Sequence, residues 1–96
     1  ATNVFYKLEA FGWVRGAALA IEYKVPDARF HTVAFCSRCG GKVPRPSPER
    51  GVVAVPAGSL DADPGMRAQA HIFVGDKAPW FDITGSLPQF PGMPPG

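Results

Sequence analysis

The sequence has no long apolar run, little excess charge and only two cysteines. None of its apolar runs approaches the roughly 20 residues of a membrane-spanning helix, so no membrane partner is expected. Ten Lys and Arg residues against eight Asp and Glu residues give a net charge of +2, which provides no electrostatic case for a nucleic-acid partner. Two cysteines favour metal binding or free thiols over a structural disulfide, and we expect a cytoplasmic, reducing compartment.

Long helical periodicity is also missing. Eleven glycines and eleven prolines interrupt nearly every window of twelve residues, which favours short strands and turns over helices. The predicted fold class is therefore all-β, with short strands in small antiparallel sheets. We expect one domain over residues 1–91 and a loose Pro/Gly tail over 92–96.

Short apolar or alternating segments mark the predicted strands. The clearest alternation lies in residues 19–25, where apolar and polar positions exchange with a period of two. Glycines in residues 9–16 indicate a hairpin turn or bulge around Trp13, and alternate prolines in 43–50 indicate an edge strand or an exposed loop. The predicted extended segments are residues 4–8, 19–25, 29–36, 52–55, 71–74 and 80–83.

Both cysteines lie in one motif, C-S-R-C-G-G, at residues 36–41. Two intervening residues allow the sulfurs of Cys36 and Cys39 to bind one tetrahedral metal ion while backbone N–H groups point at the thiolates. Gly40 and Gly41 allow the chain to leave the turn with a positive φ. The pattern predicts a zinc knuckle with Cys36 and Cys39 as metal ligands, although two thiols are half of the four ligands that structural zinc takes.

Two alternatives for the cysteine pair remain open. The thiols could carry no metal, or they could form a redox pair of the thioredoxin kind. A redox pair of that kind lies at the start of a helix, whose dipole lowers the thiol pKa. Because glycines and then prolines follow Cys39, no helix can begin there, and the redox interpretation is disfavoured.

The histidines and aromatic residues favour structural roles. In a regular strand His31 faces away from Cys36, and both His31 and His71 are interpreted as half-buried side chains bonded to backbone rather than as metal ligands. The large aromatic residues are most simply core residues, namely Trp13, Phe35, Phe73, Trp80, Phe81 and Phe90.

The remaining polar candidates also favour structural roles. Asp61 and Asp63 could form a paired acid–base site, but two aspartates in a Gly/Pro-rich segment are typical turn formers. Ser59 has no His and Asp companions at an informative spacing. No glycine cluster matches the phosphate-binding pattern G-x-x-x-x-G-K-S/T.

Four motifs follow one another along the chain: FCSRCGG at 35–41, AGSLDADPG at 57–65, AHIFVGDKAPWFDI at 70–83 and LPQF at 87–90. In this order and at this spacing they resemble the second half of the glutathione-dependent formaldehyde-activating enzymes, whose relatives include centromere protein V. The resemblance extends from about residue 5 to residue 90. It implies a β-tent fold of small antiparallel sheets around zinc, here in a truncated form.

The resemblance also implies roles for particular residues. In the family an early C-x-C pair and a late C-x-x-C-G pair hold a structural zinc, and a middle cysteine cluster holds the catalytic zinc. Cys36 and Cys39 match the late pair, which implies structural-zinc ligands, and nothing in this chain matches the early pair or the middle cluster. His71 and Trp80 match recurrent family positions, for which only packing is inferred.

These observations predict a zinc-binding, or metal-free, non-catalytic relative of the family. Strands missing from the family pattern would expose a sheet edge, and a homodimer could bring two cysteine pairs to one zinc ion. The alternative is a carbon–sulfur lyase acting on glutathione–aldehyde adducts, with the missing cysteines supplied by an upstream segment or a partner chain. A small thiol adduct, such as a glutathione conjugate, is the ligand that the resemblance implies.

Overall fold

The computed structural model describes residues 1–28 and 31–94, and their architecture is all-β. The helical segments are single turns of 3-10 helix, two between β1 and β2 and two after β5, and no helix in the described residues is long and apolar enough to cross a membrane. The strands are β1 Asn3–Lys7, β2 Ala20–Lys24, β3 Thr32–Cys36, β4 Arg45–Ser47 and β5 Val52–Pro56. The 3-10 turns are Leu8–Ala10, Ala17–Leu19, Ala57–Ser59 and Val74–Asp76.

The first sheet is antiparallel, with the strand order β1-β5-β4. The β-branched run of β5 occupies the centre, where Val53 is fully buried and Val55 is 7% exposed. Pro46 lies on β4, opposite Val53, at the edge of the sheet. An edge strand tolerates proline because the missing N–H faces away from the neighbouring strand. The sequence-based prediction of an edge strand in this segment is confirmed.

The second sheet is the antiparallel pair of β2 and β3. Ile21 lies opposite Phe35, and Glu22 lies opposite Ala34. An apolar pair therefore lies on one face of this sheet, and a pair of one charged and one apolar residue lies on the other. The prediction of a strand over residues 19–25 is confirmed. Of the strand predicted over residues 29–36, Arg29 and Phe30 lie outside the described residues, and β3 begins at Thr32.

The prediction of a hairpin turn or bulge over residues 9–16 is wrong. β1 pairs with β5, and β2 pairs with β3, so this segment connects two different sheets. Its glycines do permit a turn: Gly16 has a φ of 78° and precedes the 3-10 turn Ala17–Leu19. A local turn signal cannot specify which distant strand becomes the partner.

The chain divides into two compact units, Ala1–Ala62 and Asp63–Gly96, and both sheets belong to the first. In the second unit the predicted strand over 71–74 is wrong. His71 forms an isolated parallel bridge with Gln89, and Phe73 has a left-handed φ of 55°, which ends the extended backbone. The segment 80–83 likewise joins no sheet. The single domain and the loose tail stay predictions, although the Gly92 carbonyl accepts the Phe73 N–H over 3.1 Å.

Candidate metal centre

The two cysteines lie in a closed turn at the end of β3. The Cys36 N–H donates to the Gly41 carbonyl over 2.8 Å, and the Gly40 N–H donates to the Cys36 carbonyl over 2.7 Å. Beyond the turn the chain returns antiparallel, with Lys42 opposite Phe35. Gly40 has the predicted positive φ, at 76°, whereas Gly41 does not. The turn therefore forms as the motif predicts, with the positive φ at Gly40 alone.

Each sulfur in this turn accepts a backbone hydrogen bond from the residue two positions later. The Arg38 N–H points at Cys36 Sγ, and the Gly41 N–H points at Cys39 Sγ, both over 3.4 Å. Both thiols are free, with Cys36 half-buried and Cys39 exposed. Donors aimed at sulfur favour the thiolate, which is the form that binds metal.

The electrostatics of the turn also favour the thiolate form of Cys36. The pKa of the Cys36 thiol lies below its ordinary value, first because of the Cys39 backbone N–H and then because of the Arg38 backbone N–H. The Cys39 thiol and the positive charge of Arg38 add smaller effects, and partial burial of the sulfur opposes them.

The described residues contain no group of three or more His, Cys, Asp or Glu side chains that could hold a metal ion. Cys36 and Cys39 therefore supply two donors, which fit half of a tetrahedral zinc site. His31 is exposed rather than half-buried, and its carbonyl accepts the Val25 N–H over 2.9 Å. His71 is half-buried as predicted, but its ring Nε2 atom is buried without a hydrogen-bond partner.

The acidic and hydroxyl candidates form local turn contacts. Asp63 accepts the Gly65 N–H and both guanidinium NH groups of Arg67, each over 2.9 Å. The ion pair with Arg67, and then the Gly65 N–H, hold the pKa of Asp63 below its ordinary value. Ser59 donates to the Pro56 carbonyl over 2.7 Å. The turn interpretation is confirmed for Asp63, and Ser59 has a turn contact of its own.

The prediction that the aromatic residues form the core is wrong for several of them. Trp80 is 82% exposed and Phe81 is 53% exposed, while Trp13 and Phe73 lie at 38% and 36%. The buried apolar side chains of the described residues are instead small or β-branched, namely Ala34, Val53 and Val55. These aliphatic residues pack in the pleated sheet without the space that aromatic rings need.

Two features of the first unit were missed at the sequence level. An ion pair of 3.2 Å joins Arg45 Nε on β4 to Glu22 Oε1 on β2, and no spacing rule relates residues 23 positions apart. An open cavity of about 280 Å³ lies beside the first sheet, with Tyr6, Phe11 and Leu60 in its wall. Its lining carries no charged side chain. The apolar and aromatic run of residues 4–8 predicts a strand but does not reveal the cavity.

Comparison with known proteins identifies one family. The model of the glutathione-dependent formaldehyde-activating enzymes matches residues 1–76 of the 96-residue chain. The matched region includes both cysteines and the AGSLDADPG motif, and it ends before Trp80 and the LPQF motif. Neither a curated protein nor a solved structure gave a significant match. Since the family model covers more than half of the chain, the chain belongs to the glutathione-dependent formaldehyde-activating enzyme family.

Proposed function

We propose that this chain is a non-catalytic, zinc-binding member of its family. In this proposal Cys36 and Cys39 provide two ligands of a structural zinc ion, and the same pair of a second copy provides the other two. The observation that carries the proposal is the turn itself, in which each sulfur accepts a backbone N–H over 3.4 Å. Such donors neutralise part of the thiolate charge and so favour the form of sulfur that binds metal.

The ligand count supports a shared site. Structural zinc is closed by four ligands, and the chain contains only two cysteines. A two-fold axis doubles every group near it, so two copies offer four thiolates to one metal ion. The exposure of Cys39 keeps this side of the turn open to a second copy.

The same count supports a non-catalytic role for the chain by itself. A catalytic zinc site combines three protein ligands with an open position for water or substrate. If both thiols close a four-thiolate structural site, this sequence has no further cysteine for a second metal. The alternative function is a carbon–sulfur lyase acting on glutathione–aldehyde adducts, and its support is the family membership. In that case the catalytic ligands would come from an upstream segment or a partner chain.

Metal content measured against chain concentration tests the proposal. Protein prepared without chelator should contain one zinc ion for every two chains, and cobalt(II) in its place should give the sulfur-to-metal absorption of four thiolates. Cys36→Ser and Cys39→Ser should each abolish stoichiometric binding. Ser37→Ala is the matched control, because it alters the same turn without removing a sulfur, and it should bind like the wild type.

Other results would overturn the proposal. One zinc ion per chain would mean that different ligands complete the site, and zinc-free protein that also fails to bind cobalt would remove the metal role. Formaldehyde consumption in the presence of glutathione should not exceed the uncatalysed rate. Turnover by the wild type that is lost in Cys36→Ser would support the lyase instead.

A further inference from the structure

We propose that β2 is a self-association edge, through which two copies of the chain pair antiparallel about a two-fold axis at Tyr23. The interface is separate from the metal centre and does not rest on the proposed zinc function. It follows from the hydrogen-bond pattern of the β2–β3 ladder and from the order of charges along β2.

The ladder determines which peptide groups of β2 are free. The Val25 N–H donates to the His31 carbonyl over 2.9 Å, and the Ser37 N–H donates to the Leu19 carbonyl over 2.8 Å. Both bonds share the register of the β2–β3 pair. Because hydrogen-bonded pairs alternate along an antiparallel ladder, the odd-numbered residues of β2 bond to β3 and the even-numbered ones point away from it.

Only a short part of the outer edge of β2 has backbone groups available to pair with another strand. Within the described residues, β2 pairs with β3 alone. The Ala20 N–H is already donated to the Ala17 carbonyl, and Pro26 has no N–H to donate. Glu22 and Lys24 are left with N–H and carbonyl groups directed outward, which is the arrangement that recruits another strand.

The other strand edges are less suited to self-pairing. The outer edge of β3 is covered where the Val43 N–H donates to the Ala34 carbonyl over 3.2 Å. On β4, Pro46 removes a donor from a strand of three residues. In the part of the chain that the structure describes, the outer edge of β1 is also open, but its one charged residue, Lys7, has no acidic residue on that strand to face.

Charge selects the register. With Glu22 on the two-fold axis, its carboxylate would face its own copy, and like charges directly opposite are destabilising. With Ile21 on the axis, Glu22 would face the second copy's Ala20, and neither Glu22 nor Lys24 would lie opposite a residue of the other charge. With Tyr23 on the axis, Glu22 faces the second copy's Lys24, and the symmetry repeats the pair. Each of these pairs exchanges two backbone hydrogen bonds.

The side chains on β2 that make these contacts are exposed to solvent and accessible to a second copy. Glu22 is 50% exposed at its side chain, where it shares its carboxylate with Arg45. The Lys24 ammonium contacts the Ala28 carbonyl over 2.6 Å, and a neutral carbonyl leaves its charge uncompensated. On the opposite face Ile21 and Tyr23 are 44% and 53% exposed. The pairing would bring Tyr23 against its own copy.

This interface keeps the two metal centres apart. Cys36 lies opposite Ala20, three residues from Tyr23 along the ladder. In the second copy the cysteine turn lies three residues from the axis on the opposite side. The two cysteine turns are therefore separated by six residues, or about 20 Å, along the strands. A zinc ion shared by two cysteine pairs therefore needs a different contact. Removal of zinc should leave the β2 interface intact, and the two proposals can fail independently.

Paired charge reversals test the interface. We expect sedimentation velocity in the presence of chelator to show two copies for the wild type. Glu22→Lys places Lys opposite Lys, and Lys24→Glu places Glu opposite Glu, so each variant should self-associate at least about tenfold more weakly. An equimolar mixture of the two variants should form a dimer again, because every pair is then Lys opposite Glu.

Matched controls separate this interface from net charge and folding. Lys7→Glu on β1 and Glu9→Lys outside β2 cause the same changes of charge and should associate like the wild type. Glu22→Lys also removes the contact between Glu22 and Arg45. The heterodimer of the two β2 variants forms only if both fold, so its formation shows that the loss of this contact does not unfold the chain. A monomeric wild type in chelator, or charge-reversed variants with unchanged association, would overturn the proposal.

A measurement on the wild type serves if a variant does not fold. Residue-resolved hydrogen exchange in chelator should show that the amides of Glu22 and Lys24 become protected as protein concentration rises. The amide of Phe5, on the open edge of β1, should remain unchanged. Protection that is independent of concentration at Glu22 and Lys24 would contradict pairing through β2.

Discussion

The amide nitrogen of Gly41 lies 3.4 Å from the Cys39 sulfur, and a Cβ atom added at Gly41 would lie 3.4 Å from the same sulfur. The preceding glycine, Gly40, is constrained by its backbone conformation instead. Gly40 has a φ of 76°, and no atom lies within 4 Å of the position that its Cβ would take. One glycine of the pair is therefore required by backbone conformation, while the other is close to a thiol without being conformationally restricted.

This contrast predicts different effects for two alanine substitutions. Gly40→Ala forces a Cβ-bearing residue into the left-handed region and should lower the free energy of unfolding by about 1–2 kcal/mol. Gly41→Ala introduces an ordinary van der Waals contact and should change it by less than about 0.5 kcal/mol. Urea unfolding of both variants in chelator measures the difference without a contribution from metal. Equal losses would show that the φ of Gly40 does not constrain the turn.

The parts of the fold that could be predicted are those specified by neighbouring residues. The alternation in 19–25, the β-branched run of β5 and the cysteine turn each depend on a few consecutive residues, and the structure forms all three. The strand partners could not be predicted in the same way. The glycines around Trp13 indicate a turn, but the antiparallel pairing of β1 with β5 joins residues about 50 positions apart.

The second unit shows the same limitation. Residues 72–74 have apolar side chains suited to a strand, yet backbone groups of residues 71–74 bond to residues 88–92 instead of a sheet. The Val74 N–H donates to the Phe90 carbonyl over 3.1 Å, and the left-handed φ of Phe73 is held by contacts that a strand pattern does not reveal. At the cysteine turn, likewise, the sequence predicts Cys36 and Cys39 as ligands, whereas the backbone donors to their sulfurs become visible only in the folded turn.

Val53 is expected to be the most sensitive position of the first sheet. It is fully buried at the centre of β5, so Val53→Ala removes two methyl groups from the interior and should cost about 2 kcal/mol of unfolding free energy. Val14→Ala is the control, because Val14 is 95% exposed, and it should change stability by less than about 0.5 kcal/mol. Thermal or urea unfolding measures both. Similar effects at the two positions would contradict the central place of β5 in the core.

The Asp63–Arg67 ion pair gives a prediction about pH. Because the pKa of Asp63 is lowered in the folded protein, its contribution to stability is present above the pKa of an unfolded aspartate and is lost as pH falls through the folded value. Arg67→Gln should raise the pKa of Asp63 towards its ordinary value without restoring it fully, since the Gly65 N–H still donates to the carboxylate. Both side chains are largely exposed, at 60% for Asp63 and 78% for Arg67, so added salt should also raise this pKa in the wild type.

Carboxyl-carbon NMR titration of Asp63 measures these changes directly. Arg15→Gln serves as the control, because it removes the same charge from another segment of the chain and should leave the Asp63 titration midpoint unchanged. If Arg67→Gln leaves the midpoint where it is, the Gly65 N–H rather than the ion pair is the dominant cause of the lowered pKa.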